Sequence, residues 1–262
     1  IEYVDIQTAG NATDFGDMTN TGSGLPSGTS NKTRGVMTGN GSWTEQYDYI
    51  TCATAGNATN FGSMAHSDQK NPAMCGDGSR GVVACGIVDY ENSNKMEYIT
   101  IDTTGNGTNF GDQTVSTSKR CACADSTRGV IFGQSTNTNV IDYITIQTTG
   151  NATDFGDQIY SWQPNGGATA DATTGFHIAA QSTNMRGEIH YVTIQTLGNA
   201  TDWGDLATNI YGCDASSDGS YAVVFAYMVY DGSSTPLSNT IERFSTASAG
   251  NASDFGDCTV NN

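Results

Sequence analysis

Apolar and polar residues alternate along residues 141–148, with Ile144, Ile146 and Thr148 on one side and Tyr143, Thr145 and Gln147 on the other. A period of two marks a β-strand. Thr149-Gly150-Asn151-Ala152 follows as a turn signal, because Gly and Asn tolerate positive φ. Asp154-Phe155-Gly156-Asp157 then reads as a short outgoing strand. The same strand–turn–strand pattern occurs six times, at residues 1–17, 47–63, 96–112, 141–157, 189–205 and 241–257. The glycine of its Gly-Asn pair falls at 10, 56, 105, 150, 198 and 250, a spacing of 45 to 52 residues. One aromatic holds a constant place in the copies: Phe15, Phe61, Phe110, Phe155, Trp203 and Phe255. A large ring recurring at one site predicts a wedge between neighbouring units.

Between the copies lies a second recurring strand, Thr33-Arg34-Gly35-Val36-Met37, Ser79-Arg80-Gly81-Val82-Val83 and Thr127-Arg128-Gly129-Val130-Ile131, with weaker forms at 174–178 and 221–225. A Ser/Gly/Asn-rich segment ahead of each leaves room for one more short strand. The unit is thus three to four antiparallel strands in roughly 48 residues, which fits a propeller blade better than the shorter rungs of a parallel β-helix. The expectation is an all-β protein, one β-propeller domain over residues 1–262, with six blades. Six motifs enclose only five intervening segments, so 1–17 reads as the outer half of a blade. The closing blade is expected to be incomplete or shared by the termini, with 258–260 supplying part of it.

A hydrophobic strand ending at Phe132-Gly133, a variable loop, Ile141-Asp142-Tyr143 and an aromatic at Phe155 resemble the kelch repeat. The second glycine of that repeat is mostly absent here (Gln134, Asn40), and a tryptophan stands only at Trp203. The Thr-Gly-Asn-Ala-Thr-Asp-Phe-Gly-Asp run is also similar to repeat arrays in virion proteins of marine tailed phages, those of cyanobacteria included. That likeness covers essentially the whole chain and implies a phage structural or appendage protein on a propeller. It carries over no active site.

Composition narrows the picture. The chain has 32 glycines against four leucines, which disfavours helices and suits strands and turns. A net charge of −17 argues against nucleic acid or an anionic membrane surface, since ten basic residues are scattered along the sequence. No stretch is long and apolar enough to span a membrane as a helix. The chain starts without an initiator Met or a signal peptide, which reads as a processed chain or a piece of a longer one.

Candidate chemistry is sparse. The seven cysteines form no metal pattern and read as free thiols, with Cys52 in the slot held by Ile6, Ile101, Ile146 and Ile194 and therefore expected to be buried. Asn11, Asn57, Asn106, Asn151, Asn199 and Asn251 lie in Asn-x-Ser/Thr sequons, but their place in one tight turn points to local backbone bonding. Asp14, Asp17 and their equivalents are the only candidate calcium ligands, weighed against a capped turn; no other cofactor is implied. Arg34, Arg80 and Arg128 are matched by Asp48, Glu97 and Asp142, which predicts a structural ion pair within each blade rather than a ligand-gripping arginine cluster. His66, His177 and His190 sit in different slots, and no nucleophile–base grouping or phosphate loop emerges, so no catalytic residue is assigned.

Function is instead expected where the repeat breaks. Trp43, Tyr90, Trp162, Tyr211 and Tyr230 stand in the variable segments and are the candidate ligand-binding residues, with Tyr160 and Tyr227 beside them. The reading is a non-enzymatic component of the virion surface, a fibre, appendage or decoration module. Its partners would be other virion proteins and a host-surface glycan or protein, and homo-oligomers are compatible with it. The alternatives are a pure assembly module, and a secreted carbohydrate-binding or polysaccharide-degrading propeller.

Overall fold

A computed structural model describes residues 1–20, 26–38, 45–66, 69–133, 138–161, 166–180, 187–229, 234 and 236–259. Among these every regular element is a strand. A two-stranded N-terminal hairpin, β1 (Glu2–Tyr3) and β2 (Thr13–Asp14), precedes five antiparallel sheets, four of four strands and one of five. Blade one is β3 (Gly28–Ser30), β4 (Arg34–Thr38), β5 (Gln46–Thr51) and β6 (Thr59–Ser63). Blade two is β7 (Ala73–Gly76), β8 (Arg80–Ala84), β10 (Glu91–Thr100) and β11 (Thr108–Thr117), with β9 (Ile87–Val88) paired to β10. Blade three is β12 (Cys121–Ala124), β13 (Arg128–Phe132), β14 (Val140–Thr145) and β15 (Thr153–Asp157). Blade four is β16 (Gly167–Ala170), β17 (Thr174–Ala180), β18 (Gly187–Thr193) and β19 (Thr201–Asp205). Blade five is β20 (Ile210–Ser217), β21 (Tyr221–Val229), β22 (Thr240–Ser245) and β23 (Ser253–Asp257).

The protein is a β-propeller of five blades, not six. The first sequence motif builds only the hairpin, which occupies a blade's outer position. Residues 258–259 add no strand to it; the ends meet instead through the contacts that join every other pair of neighbours. Ala12 N donates to Asp257 O (2.8 Å), as Ala58 N does to Asp17 O (2.7 Å) and Ala200 N to Asp157 O (2.8 Å).

Those seams explain why Phe-Gly-Asp recurs. Gly156 adopts φ 151°, and a Cβ there would lie 2.4 Å from the Gly198 carbonyl oxygen of the next blade, so only glycine lets the backbones approach so closely. Gly16, Gly62, Gly111, Gly204 and Gly256 repeat that approach, the last against Gly10. The aromatic before each glycine is the predicted wedge. Phe155 is 3% exposed, packs edge-on to Tyr143 at 6.2 Å, and belongs to a core that includes Ile194 of the following blade.

The inner strands pack in series, β3 beside β7, β7 beside β12, β12 beside β16 and β16 beside β20. Among the described residues, no comparable packing joins β20 to β3. A Cβ on Gly129 or Gly175 would strike the Cys75 or Cys123 thiol of the preceding blade at 2.8 Å, whereas at Gly35 the nearest atoms belong to Ile50 and Cys52 of its own blade. One inner seam is therefore open. Cys52 consequently lies exposed, against the burial expected from its sister residues Ile101, Ile146 and Ile194.

Candidate functional site

The repeated charged residues turn out to join neighbouring units. Arg128 stands opposite Thr145 and Asp142 opposite Ile131, three rungs along the ladder, or about 10 Å, so the expected pairing within a blade is not formed. The Arg128 guanidinium instead covers the Tyr143 ring at 4.4 Å and donates to the Ile194 carbonyl of blade four (3.0 Å). Arg34 over Tyr49 and Arg80 over Tyr98 do the same, reaching Ile101 O and Ile146 O. Asp142 accepts from the Thr114 amide (3.1 Å) and hydroxyl (2.6 Å) of blade two. Asp48 holds Thr19 in the same way, Glu242 holds the Ala207 amide, and Glu2 accepts from the Thr259 amide at the junction of the ends.

The sequon asparagines also bond across seams rather than within their own turns. Asn199 Oδ1 accepts from the Asp157 amide (3.0 Å), and each of the other five receives the equivalent amide of the preceding unit. Where blades three and four meet, the acid is replaced by His190. Its Nε2 lies 3.2 Å from Glu188, and its ring centre is 5.8 Å from that of Tyr160. His177 stacks on Phe132 at 4.8 Å beside it. Burial pushes both imidazoles below the usual histidine range, Glu188 opposing the shift at His190.

The seam between blades one and two departs furthest from the pattern. Glu97 of β10 accepts from the Ala65 and His66 amides (2.9 and 3.0 Å), from Gln69 Nε2 (3.1 Å) and from the Tyr47 hydroxyl of β5. Tyr47, Cys85 and Glu97 are all 0% exposed. A ring nitrogen of His66, the Cys85 thiol and a Glu97 oxygen lie within 4.8 Å of one another, the only such group of three found among the described residues. Burial pushes the Glu97 carboxyl up even though its donors, Tyr47 first, pull the other way. Desolvation and the Glu97 charge push Tyr47 and Cys85 well above their ordinary ranges. The sequence reading missed this cluster, because no two of its members are near in the chain. A signal was there: Cys85 stands where other blades have Gly133 or Ala226, and His66 where they have Val115, Tyr160 or Thr208.

Of the candidate binding aromatics, Tyr90 alone has a described side chain. Trp43, Trp162 and Tyr230 lie outside the described residues, and Tyr211 can be placed only on the backbone of β20. Tyr90 is 69% exposed at φ 69°, in the turn between β9 and β10. Tyr227 and Leu237 are 40% and 48% exposed on adjoining segments, where Leu237 bridges to Met228 and Ser238 N donates to Tyr227 O (3.0 Å).

No protein-family model matches this chain, and no curated protein is significantly similar to it.

Proposed function

We propose that this propeller is a non-enzymatic recognition module on the surface of a phage particle, a rigid ring that presents the segments where its repeat breaks. The observation that carries this reading is the engagement of the repeat's polar side chains. Arginines are bound to carbonyls, acids and asparagines to amides of the neighbouring unit, so the repeated surface is committed to holding the ring. Recognition then falls to variable segments on a stiff scaffold, as is usual for loops. The likeness of Thr-Gly-Asn-Ala-Thr-Asp-Phe-Gly-Asp to marine phage arrays supports a virion setting, with other virion proteins and a host-surface glycan or protein as partners. Repeated, similar surfaces would supply avidity without a catalytic residue.

The test is adsorption of the purified chain to host cells. Alanine at Tyr90, Trp43 and Trp162 together is expected to cut adsorption at least about tenfold while leaving thermal unfolding unchanged. Unchanged adsorption combined with defective particle assembly would favour the reading as an assembly module. Turnover of host polysaccharide by the purified protein would replace both with a hydrolase or lyase.

A further inference from the structure

We infer that His66, Cys85 and Glu97 form a zinc-class metal site that clamps blade one to blade two. The three side chains supply one imidazole nitrogen, one sulfur and one carboxylate oxygen, all within 4.8 Å of one another. Donors around a tetrahedral zinc sit about 3.3–3.8 Å apart, given Zn–N and Zn–S bonds of about 2.0 and 2.3 Å. A contraction of about 1 Å, within the reach of small rotamer adjustments, would close the site. The mixture of soft sulfur, borderline nitrogen and hard oxygen selects zinc over calcium or magnesium, which take oxygen ligands. The Tyr47 hydroxyl, bonded to Glu97 Oε1, is placed to act as a fourth ligand or to orient the carboxylate.

Two further observations point to a ligand. His66 Nε2 is buried and has no hydrogen-bond partner, and neither has Gln69 Oε1 beside it. A buried polar atom left unmatched costs about 1–3 kcal/mol, which a metal bond at the imidazole would offset. The supporting shell is already in place: the Ala65 and His66 amides and Gln69 Nε2 fix Glu97 Oε2, leaving Oε1 as the oxygen toward Tyr47. A cover exists as well. The Lys70–Ile87 bridge draws residues 69–71 over the Cys85-Gly86 corner, where a Cβ on Gly86 would meet Asn71 O at 2.2 Å. At the seam of blades two and three the equivalent acid, Asp142, is held by the Thr114 amide and hydroxyl, and Val115 and Gly133 stand in the places of His66 and Cys85.

Cobalt reports the site without requiring any activity. The full-length chain, stripped with chelator and given one equivalent of Co²⁺, is expected to develop a thiolate-to-cobalt band in the near ultraviolet and the visible bands of a tetrahedral centre. Stoichiometric Zn²⁺ should erase both. Cys85→Ala should abolish the ultraviolet band, and His66→Asn should weaken cobalt affinity by about ten- to a hundredfold. Cys52→Ser, at the exposed thiol, should change nothing. Circular dichroism confirms that each variant is folded, and Cys85→Ala, a small-for-small change, provides the folded test case if His66→Asn fails. A flat cobalt spectrum in the wild type, or a band that survives Cys85→Ala, would overturn the assignment. So would a band lost in Cys52→Ser, which would put the metal on the surface.

Discussion

The guanidinium of Arg243 lies 4.5 Å from the centre of the Tyr221 ring, with each residue on the strand that its counterpart's partner occupies in other blades. In blade three the arginine opens β13 and the tyrosine lies on β14; in blade five the tyrosine opens β21 and the arginine lies on β22. The contact has survived an exchange of its members. Arg243 still reaches across the seam, to Ile6 O at 3.2 Å. Blade four loses the arginine to Thr174, and there the larger Trp203 packs against Tyr191 at 5.1 Å.

The exchange can be reproduced in blade three. Arg128→Ala should lower stability by about 2 kcal/mol, the sum expected for a partly desolvated cation–π contact and a charged hydrogen bond. Arg128→Tyr and Tyr143→Arg should each destabilise, while the double variant should recover about half of the combined loss. Urea unfolding measures all four. Additive losses in the double variant would show that the pair is not the unit.

Gly156 and Gly198 touch across one seam yet should respond in opposite ways. Gly156→Ala puts a Cβ 2.4 Å from the Gly198 oxygen at a φ of 151°, and should cost about 3 kcal/mol or more. Gly198→Ala meets nothing within 4 Å and should shift stability by less than about 0.5 kcal/mol. Paired melting curves decide it, and equal effects would contradict the seam geometry.

Thiol chemistry reads out the open inner seam. Cys52 is exposed; Cys213 is half-buried with its thiol pushed up by burial, and Cys75, Cys85, Cys121, Cys123 and Cys258 are buried, which raises the Cys75 thiol to about 12. A disulfide reagent at neutral pH should therefore label one thiol rapidly and the buried ones only on unfolding. Cys52→Ser should remove the fast phase; its persistence would place the accessible thiol elsewhere.

The buried histidines set an acid limit. His177 is 0% exposed and burial holds its pKa well below the histidine range, so the folded protein keeps it neutral while the unfolded chain protonates near pH 6.5. Its contribution is thus present above about pH 6.5 and lost as pH falls, with a slope approaching 1.4 kcal/mol per pH unit, roughly. His190 adds in the same direction. The raised carboxyls of Glu97 and Asp142 act oppositely, since their contribution is full at acid pH and declines as pH rises. His177→Phe, which keeps the ring against Phe132, should flatten the stability profile between about pH 6.5 and 5. An unchanged slope would refute the assignment.

Much of this architecture was legible in the chain. Alternation gave the strands, the period gave the blade, and the invariant ring at Phe155 marked the seam. Pairing Arg128 with Asp142 failed because the repeat shows which residues vary together but not which unit they face. Both lie at one seam or another and both change in blade four, yet each is bonded to a different neighbour. Asn199 misled in the same way, as its turn looks self-contained while its oxygen serves the preceding blade. The grouping of His66, Cys85 and Glu97 escaped notice because the first two are single departures in different segments, the third is the repeat's own acid, and only the seam brings them together. The blade count was misjudged because a motif builds two outer strands and does not guarantee the inner pair.

The open inner seam gives the ring a mechanical direction. Four junctions hold from the inner strands to the rim, but between β20 and β3, among the described residues, only the slim β1–β2 hairpin bridges, through Thr259 to Glu2 on one side and Thr19 to Asp48 on the other. Such a body behaves as a split washer. Load or heat is expected to spread it at that gap before any of the five sheets comes apart, so that its diameter would yield without a blade unfolding.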